Sequence, residues 1–126
     1  MMRAKILVVE DDPDIMRILV HALTGGGHQV VPAYGGEDAV RKAQTQRFDL
    51  VLTDLAMPKM SGVEVIETIK TNPKTRHIPV IAVTAHVWDI LAQNAGQVGC
   101  DGYISKPFNT KQLLQEIQKY LKPQPE

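Results

Sequence analysis

The chain lacks the features that mark several large classes of protein. Cys100 is the only cysteine among 126 residues, so no intrachain disulfide can form, and a reducing compartment is expected. Neither sign of charge is in excess, with 14 Lys and Arg against 14 Asp and Glu. That balance leaves out the basic face that a binder of nucleic-acid phosphates needs. Long apolar runs are missing too. The first one, Ile6-Leu7-Val8-Val9, gives way at once to Glu10-Asp11. It is too short for the core of a signal peptide, and nothing approaches the ~20 residues of a membrane span. A cytoplasmic protein without nucleic-acid or membrane partners is the expectation.

Repeats and disorder-biased segments are also lacking, and only residues 123–126 read as a loose tail behind one domain over 1–122. Hydrophobic residues make up 44% of the chain, enough for a packed core. Short apolar runs alternate with helical periodicity, the pattern of an α/β fold with a parallel sheet. Strands are expected at Ile6–Val9, Gln29–Ala33, Asp49–Asp54, Val80–Thr84 and Gly102–Ser105. A continuous apolar run such as Ile6–Val9 suits a strand covered on both faces.

Helix signals fill the gaps. Asp12-Pro13-Asp14 opens a helix with an N-cap, a proline at the first turn and an acid favourable to the dipole. Ile15, Leu19, Ala22 and Leu23 follow at helical spacing with Ile18 beside them, and Gly25-Gly26-Gly27 stops the helix. A second helix carries Ala39, Val40 and Ala43. A third follows Gly62 with Val63, Ile66 and Ile69 on one face, and a fourth is expected near residues 89–98. Asn109 caps a last helix, with Gln112 placed for a capping box and Leu113, Leu114, Ile117 and Leu121 turned inward. This predicts (βα)₅, a doubly wound five-stranded sheet whose functional crevice lies at the carboxyl ends of the strands.

Polar residues collect at those ends. The first strand ends in Glu10-Asp11, the third in Asp54, the fourth in Thr84 and the fifth in Ser105-Lys106. Taken singly, Thr84 satisfying a turn or Lys106 solvated in a loop would be ordinary. Asp54 is not, because it closes an apolar strand with Leu55 behind it. Three close carboxylates repel unless a cation neutralises them. Hard oxygen ligands without His or Cys suit Mg²⁺ or Mn²⁺ rather than zinc. A cation and a lysine around one carboxylate are the equipment for placing a phosphoryl group on it, with the carboxylate as nucleophile.

Val8-Val9-Glu10-Asp11, Leu52-Thr53-Asp54-Leu55-Ala56-Met57-Pro58 with Ser61-Gly62, Ala82-Val83-Thr84-Ala85 and Gly102-Tyr103-Ile104-Ser105-Lys106-Pro107-Phe108 occur in this order. From Lys5 to Leu121 the chain thereby resembles the receiver domains of response regulators in two-component phosphorelay signalling. The resemblance implies strand order 2-1-3-4-5 and a signalling switch that catalyses only its own phosphorylation and dephosphorylation. It implies Asp54 as phosphoacceptor, with Asp11, Glu10 through a water, and the Ala56 carbonyl serving Mg²⁺ beside it. Lys106 would pair with the carboxylate and then the phosphoryl group, followed by a cis bond to Pro107. Thr84 would donate its hydroxyl to the phosphoryl group, and Tyr103 would turn inward as Thr84 moves. A histidine kinase or histidine phosphotransfer protein would be the donor. A downstream protein would read the face made by the fourth helix, fifth strand and fifth helix.

Ala56 and His86 depart from the commonest patterns and are expected to tune the lifetime of the phosphoryl group. His21, His28 and His77 are expected at the surface. An aspartyl-phosphate hydrolase of the haloacid-dehalogenase type would need a second Asp where Ala56 stands. A flavodoxin-like phosphate site would be repelled by Glu10, Asp11, Asp12 and Asp14. A module that no longer takes phosphate is disfavoured by Asp54, Thr84 and Lys106 together.

Overall fold

The computed structural model describes residues 3–55, 60–85 and 99–121. Five strands form one parallel sheet: β1 (Lys5–Val9), β2 (Gln29–Ala33), β3 (Leu50–Asp54), β4 (Val80–Thr84) and β5 (Gly102–Ser105). Their order is β2-β1-β3-β4-β5, as expected. Four helices are described: α1 (Pro13–Gly25), α2 (Gly36–Thr45), α3 (Gly62–Thr71) and a C-terminal helix (Thr110–Gln118). The helix expected near residues 89–98 and the tail at 123–126 lie outside the described residues.

Alternation along each strand divides the core between two faces. Leu7, Val9, Val51, Val80 and Ala82 pack on the α2–α3 side with Ala39, Val65, Ile66 and Ile69. Ile6, Val8, Leu50, Leu52, Ile81 and Val83 pack on the other side with Met16, Leu19, Leu23, Leu113 and Ile117. The central strands β1, β3 and β4, covered on both sides, are buried almost throughout, which is why they read as largely apolar runs.

The helix ends follow their local signals. Asp12 Oδ1 accepts from the Asp14 and Ile15 N–H groups at 2.8 and 3.3 Å. The capping box of Asn109 and Gln112 is present in both directions, at 2.8 and 3.0 Å. After α1 the chain turns through Gly27 at φ 91°, a left-handed conformation that glycine adopts without a Cβ penalty.

Three expectations about facing are corrected. In α1, Met16 takes the core position while Ile18 is 59% exposed, one residue round the helix from buried Leu19. In α3, Val65 joins Ile66 and Ile69 in the core, and Val63, on the first turn, is exposed. His28 is buried rather than at the surface. Its Nδ1 accepts the Ala4 N–H at 3.0 Å, locking the start of β1 to the turn before β2. Nε2 has no partner among the described residues, and burial holds the imidazole below its ordinary pKa. His21 and His77 are exposed, as expected.

Candidate phosphoryl-acceptor site at the carboxyl edge

The order of the strands decides which ends meet. β1 and β3 are neighbours, with Val9 opposite Thr53. One step beyond this pair, Glu10 and Asp11 leave β1 as Asp54 ends β3. Oxygen atoms of Glu10, Asp11 and Asp54 lie within 4.8 Å of one another. β4 continues the edge with Thr84, and β5 completes it with Ser105, opposite Thr84, and then Lys106. The Lys106 N–H donates to the Thr84 carbonyl at 2.9 Å, which carries the ladder one residue past the strands. The Lys106–Pro107 bond is cis.

Lys106 reaches back across the edge. Its Nζ is 3.3 Å from Glu10 Oε1 and 3.6 Å from Asp54 Oδ1. Both carboxylates are buried. Burial is the main reason that the Glu10 carboxyl is pushed up to about 7, and the Asp54 charge adds to it. The Asp12 N–H, donating to Oε2 at 3.1 Å, and the Lys106 charge pull the other way without prevailing. Among the described residues, the Lys106 ammonium does not offset the burial of Glu10. Three carboxylates with converging oxygens and, among the described residues, no His or Cys fit a hard divalent cation such as Mg²⁺.

Thr84 is buried at the end of β4. Tyr103 stands opposite Ala82, so it lies on the same sheet face as Thr84, one pleat away. The Tyr103 ring packs against the α2–α3 side of the core. Burial, helped by the adjacent Cys100 thiol, raises the phenol to about 12. Ala56 and His86 lie outside the described residues.

Two further residues shape the site and were not singled out in the sequence for this role. The buried Thr53 hydroxyl donates to the Asp54 carbonyl at 3.0 Å. Gly62 begins α3 directly against the same peptide, and its N–H donates to the Leu55 carbonyl at 3.1 Å. A Cβ at Gly62 would stand 2.0 Å from the Asp54 carbonyl oxygen, so no other residue fits there unmoved. The signal for Thr53 was its hydroxyl within the apolar run Leu50-Val51-Leu52; for Gly62, glycine rather than a good helix former opening a helix.

A doubly wound sheet with an acid triad, a buried threonine and a lysine at one carboxyl edge defines a receiver type of signalling domain. The family model of the response regulator receiver domain matches residues 6–118, and the chain belongs to that family. Members take phosphoryl groups from histidine kinases and regulate downstream targets; they are signalling switches rather than conventional enzymes. The polar-differentiation response regulator DivK of Brucella anthropi is 34% identical over 120 residues, covering 95% of this chain and 98% of that one. The chemotaxis protein CheY4 of Vibrio cholerae superposes with a TM-score of 0.88 at 32% identity, covering 95% and 100% of the two chains. The response regulator TrrA of Thermotoga maritima, solved in complex with Mg²⁺ and beryllium fluoride, gives 0.84 at 32% identity, also covering 95% and 100%. No described helix is long and apolar enough to cross a membrane.

Proposed function

We propose that this chain works as a response regulator receiver over residues 1–122, with 123–126 as its tail, in which Asp54 accepts a phosphoryl group. The observation that carries this reading is the position of Asp54. Its carboxylate shares a 4.8 Å cluster with Glu10 and Asp11 and has the Lys106 ammonium 3.6 Å away.

The donor is a phosphohistidine of a histidine kinase or histidine phosphotransfer protein. An Asp54 carboxylate oxygen attacks phosphorus, the P–N bond breaks, and its electron pair leaves with the imidazole, which takes up a proton. Asp11, Asp54 and the Ala56 carbonyl, with Glu10 through a water, would hold Mg²⁺, for which Mn²⁺ could substitute. When bound, the ion supplies positive charge against the phosphoryl oxygens. Lys106 holds the carboxylate in place and then neutralises part of the charge on the transferred group. The fixed strand ends position the reactants before transfer, so little ordering remains for the reaction step.

Thr84 and Tyr103 form the switch. The Thr84 hydroxyl moves to donate to the phosphoryl group, and the ring of Tyr103 fills the space left on the same sheet face. That motion reshapes the surface of β5, the C-terminal helix and the helix expected at 89–98, where a downstream protein binds. Ala56 and His86 set how long the phosphoryl group lasts. The test is incubation with acetyl phosphate and Mg²⁺. One base-labile phosphoryl group per chain, mapped to Asp54 by fragmentation, supports the reading; a different labelled residue overturns it.

A further inference from the structure

We infer that Thr53 is a positioning residue for the acceptor, fixing the peptide that follows Asp54 through its side-chain hydroxyl. The inference rests on the proposed phosphorylation of Asp54 and deepens it.

Thr53 sits in β3 between Val9 of β1 and Ala82 of β4. It shares its face with Val51, toward the apolar layer under α2 and α3, and is 1% exposed. Valine has the same shape and β-branching and would fill that place with no polar atom to satisfy. A buried hydroxyl is therefore an added cost, offset only if it is bonded. Its bond, at 3.0 Å, goes to the Asp54 carbonyl, the first backbone acceptor beyond its own residue on the way to the site.

That carbonyl is confined from two sides. Gly62 packs so close to it that a Cβ would come within 2.0 Å of the oxygen and 2.5 Å of Leu55 Cα. The Gly62 N–H meanwhile holds the next carbonyl, that of Leu55, at 3.1 Å. Strand pairing fixes Asp54 up to its own register with Val83, and the chain then turns out of the sheet. The Thr53 hydroxyl and the start of α3 hold the peptide at this exit. Rotation of that peptide would turn the Asp54 Cα and swing its carboxylate relative to Glu10, Asp11 and Lys106. A shift of a fraction of an ångström there matters, because transfer depends on attack geometry.

The experiment compares Thr53→Val, which keeps the shape and removes the donor, with Thr53→Ser, which keeps the donor and removes the methyl. Labelling by acetyl phosphate is followed against Mg²⁺ concentration, with folding checked by thermal melting. Thr53→Val is expected to label about tenfold more slowly and to need more Mg²⁺ for half-maximal rate, while Thr53→Ser labels close to the parent rate at unchanged Mg²⁺ demand. If Thr53→Val fails to fold, Thr53→Ala takes its place with the same expectation. A donor-less variant that matches the parent in both rate and Mg²⁺ demand overturns the inference. So does a Thr53→Ser variant as slow as the donor-less one. Phosphorylation at Asp54 itself is read separately with Asp54→Asn: full labelling of that variant removes the underlying reading, whatever Thr53 does.

Discussion

The Lys106 ammonium stands 3.3 Å from Oε1 of Glu10, joining residues 96 apart in sequence at the edge of the sheet. Even with this partner the Glu10 carboxyl is raised to about 7, because burial outweighs the attraction. The folded, metal-free protein therefore keeps a proton on Glu10 that the unfolded chain has released above its ordinary value of 4.5. Across that window the folded state binds more protons, so this group makes stability fall as pH rises from about 4.5 to about 7. His28 acts in the opposite sense, since burial depresses its pKa and its contribution is lost as pH falls. Comparison with Glu10→Gln separates the two. Urea unfolding in chelator should show the parent losing stability relative to Glu10→Gln as pH rises; parallel curves would contradict the assignment.

Removing Asp11 tests the cation site. Asp11→Ala should abolish most of the Mg²⁺ dependence of labelling and most of the rise in melting temperature that Mg²⁺ gives the parent by mass action. In chelator the variant should be as stable as the parent or more so, since one of three mutually repelling carboxylates is gone. Mg²⁺ dependence equal to the parent's would place the cation elsewhere.

Gly62→Ala tests the contact between α3 and the acceptor strand. The added Cβ would overlap the Asp54 carbonyl and Leu55 Cα, both backbone atoms that cannot swing aside. A cost of about 1–3 kcal/mol is expected, with slower labelling because the start of α3 must shift. Unfolding midpoints and labelling rates indistinguishable from the parent would show that the helix moves freely.

Strand positions and their polar ends were legible in the sequence because a buried parallel sheet leaves no polar face. An acid such as Asp54 at the end of Leu50-Val51-Leu52 therefore stands out. The order of the strands came from the family resemblance, and it alone puts Glu10 beside Asp54. Facing within helices was less legible. Ile15, Ile18 and Met16 are all apolar on one turn, and only contact with the sheet decides that Met16 goes in and Ile18 out. His28 looked like a surface residue because its partner, the Ala4 N–H, lies 24 residues away in the chain. The closeness of Gly62 to Asp54 is likewise a tertiary fact that local pattern does not encode.

The switch is tested at Thr84. Tyr103 lies on the same face, diagonal to it across β4 and β5, so motion of the hydroxyl can open room for the ring. Trp88, four residues beyond Thr84 and outside the described residues, is the only tryptophan. Beryllium fluoride should change its fluorescence, and Thr84→Ala should strongly reduce that change while Asp54 still takes a phosphoryl group. A full fluorescence response in Thr84→Ala would uncouple this hydroxyl from the rest of the switch.

The central claim is that Asp54 is the nucleophile. Intact-mass measurement of the parent and Asp54→Asn after acetyl phosphate and Mg²⁺ tests it most directly, because asparagine keeps the size and removes the attacking carboxylate. The parent should gain one phosphoryl group that base removes, and Asp54→Asn should gain none. An equal gain in the two proteins would contradict the account.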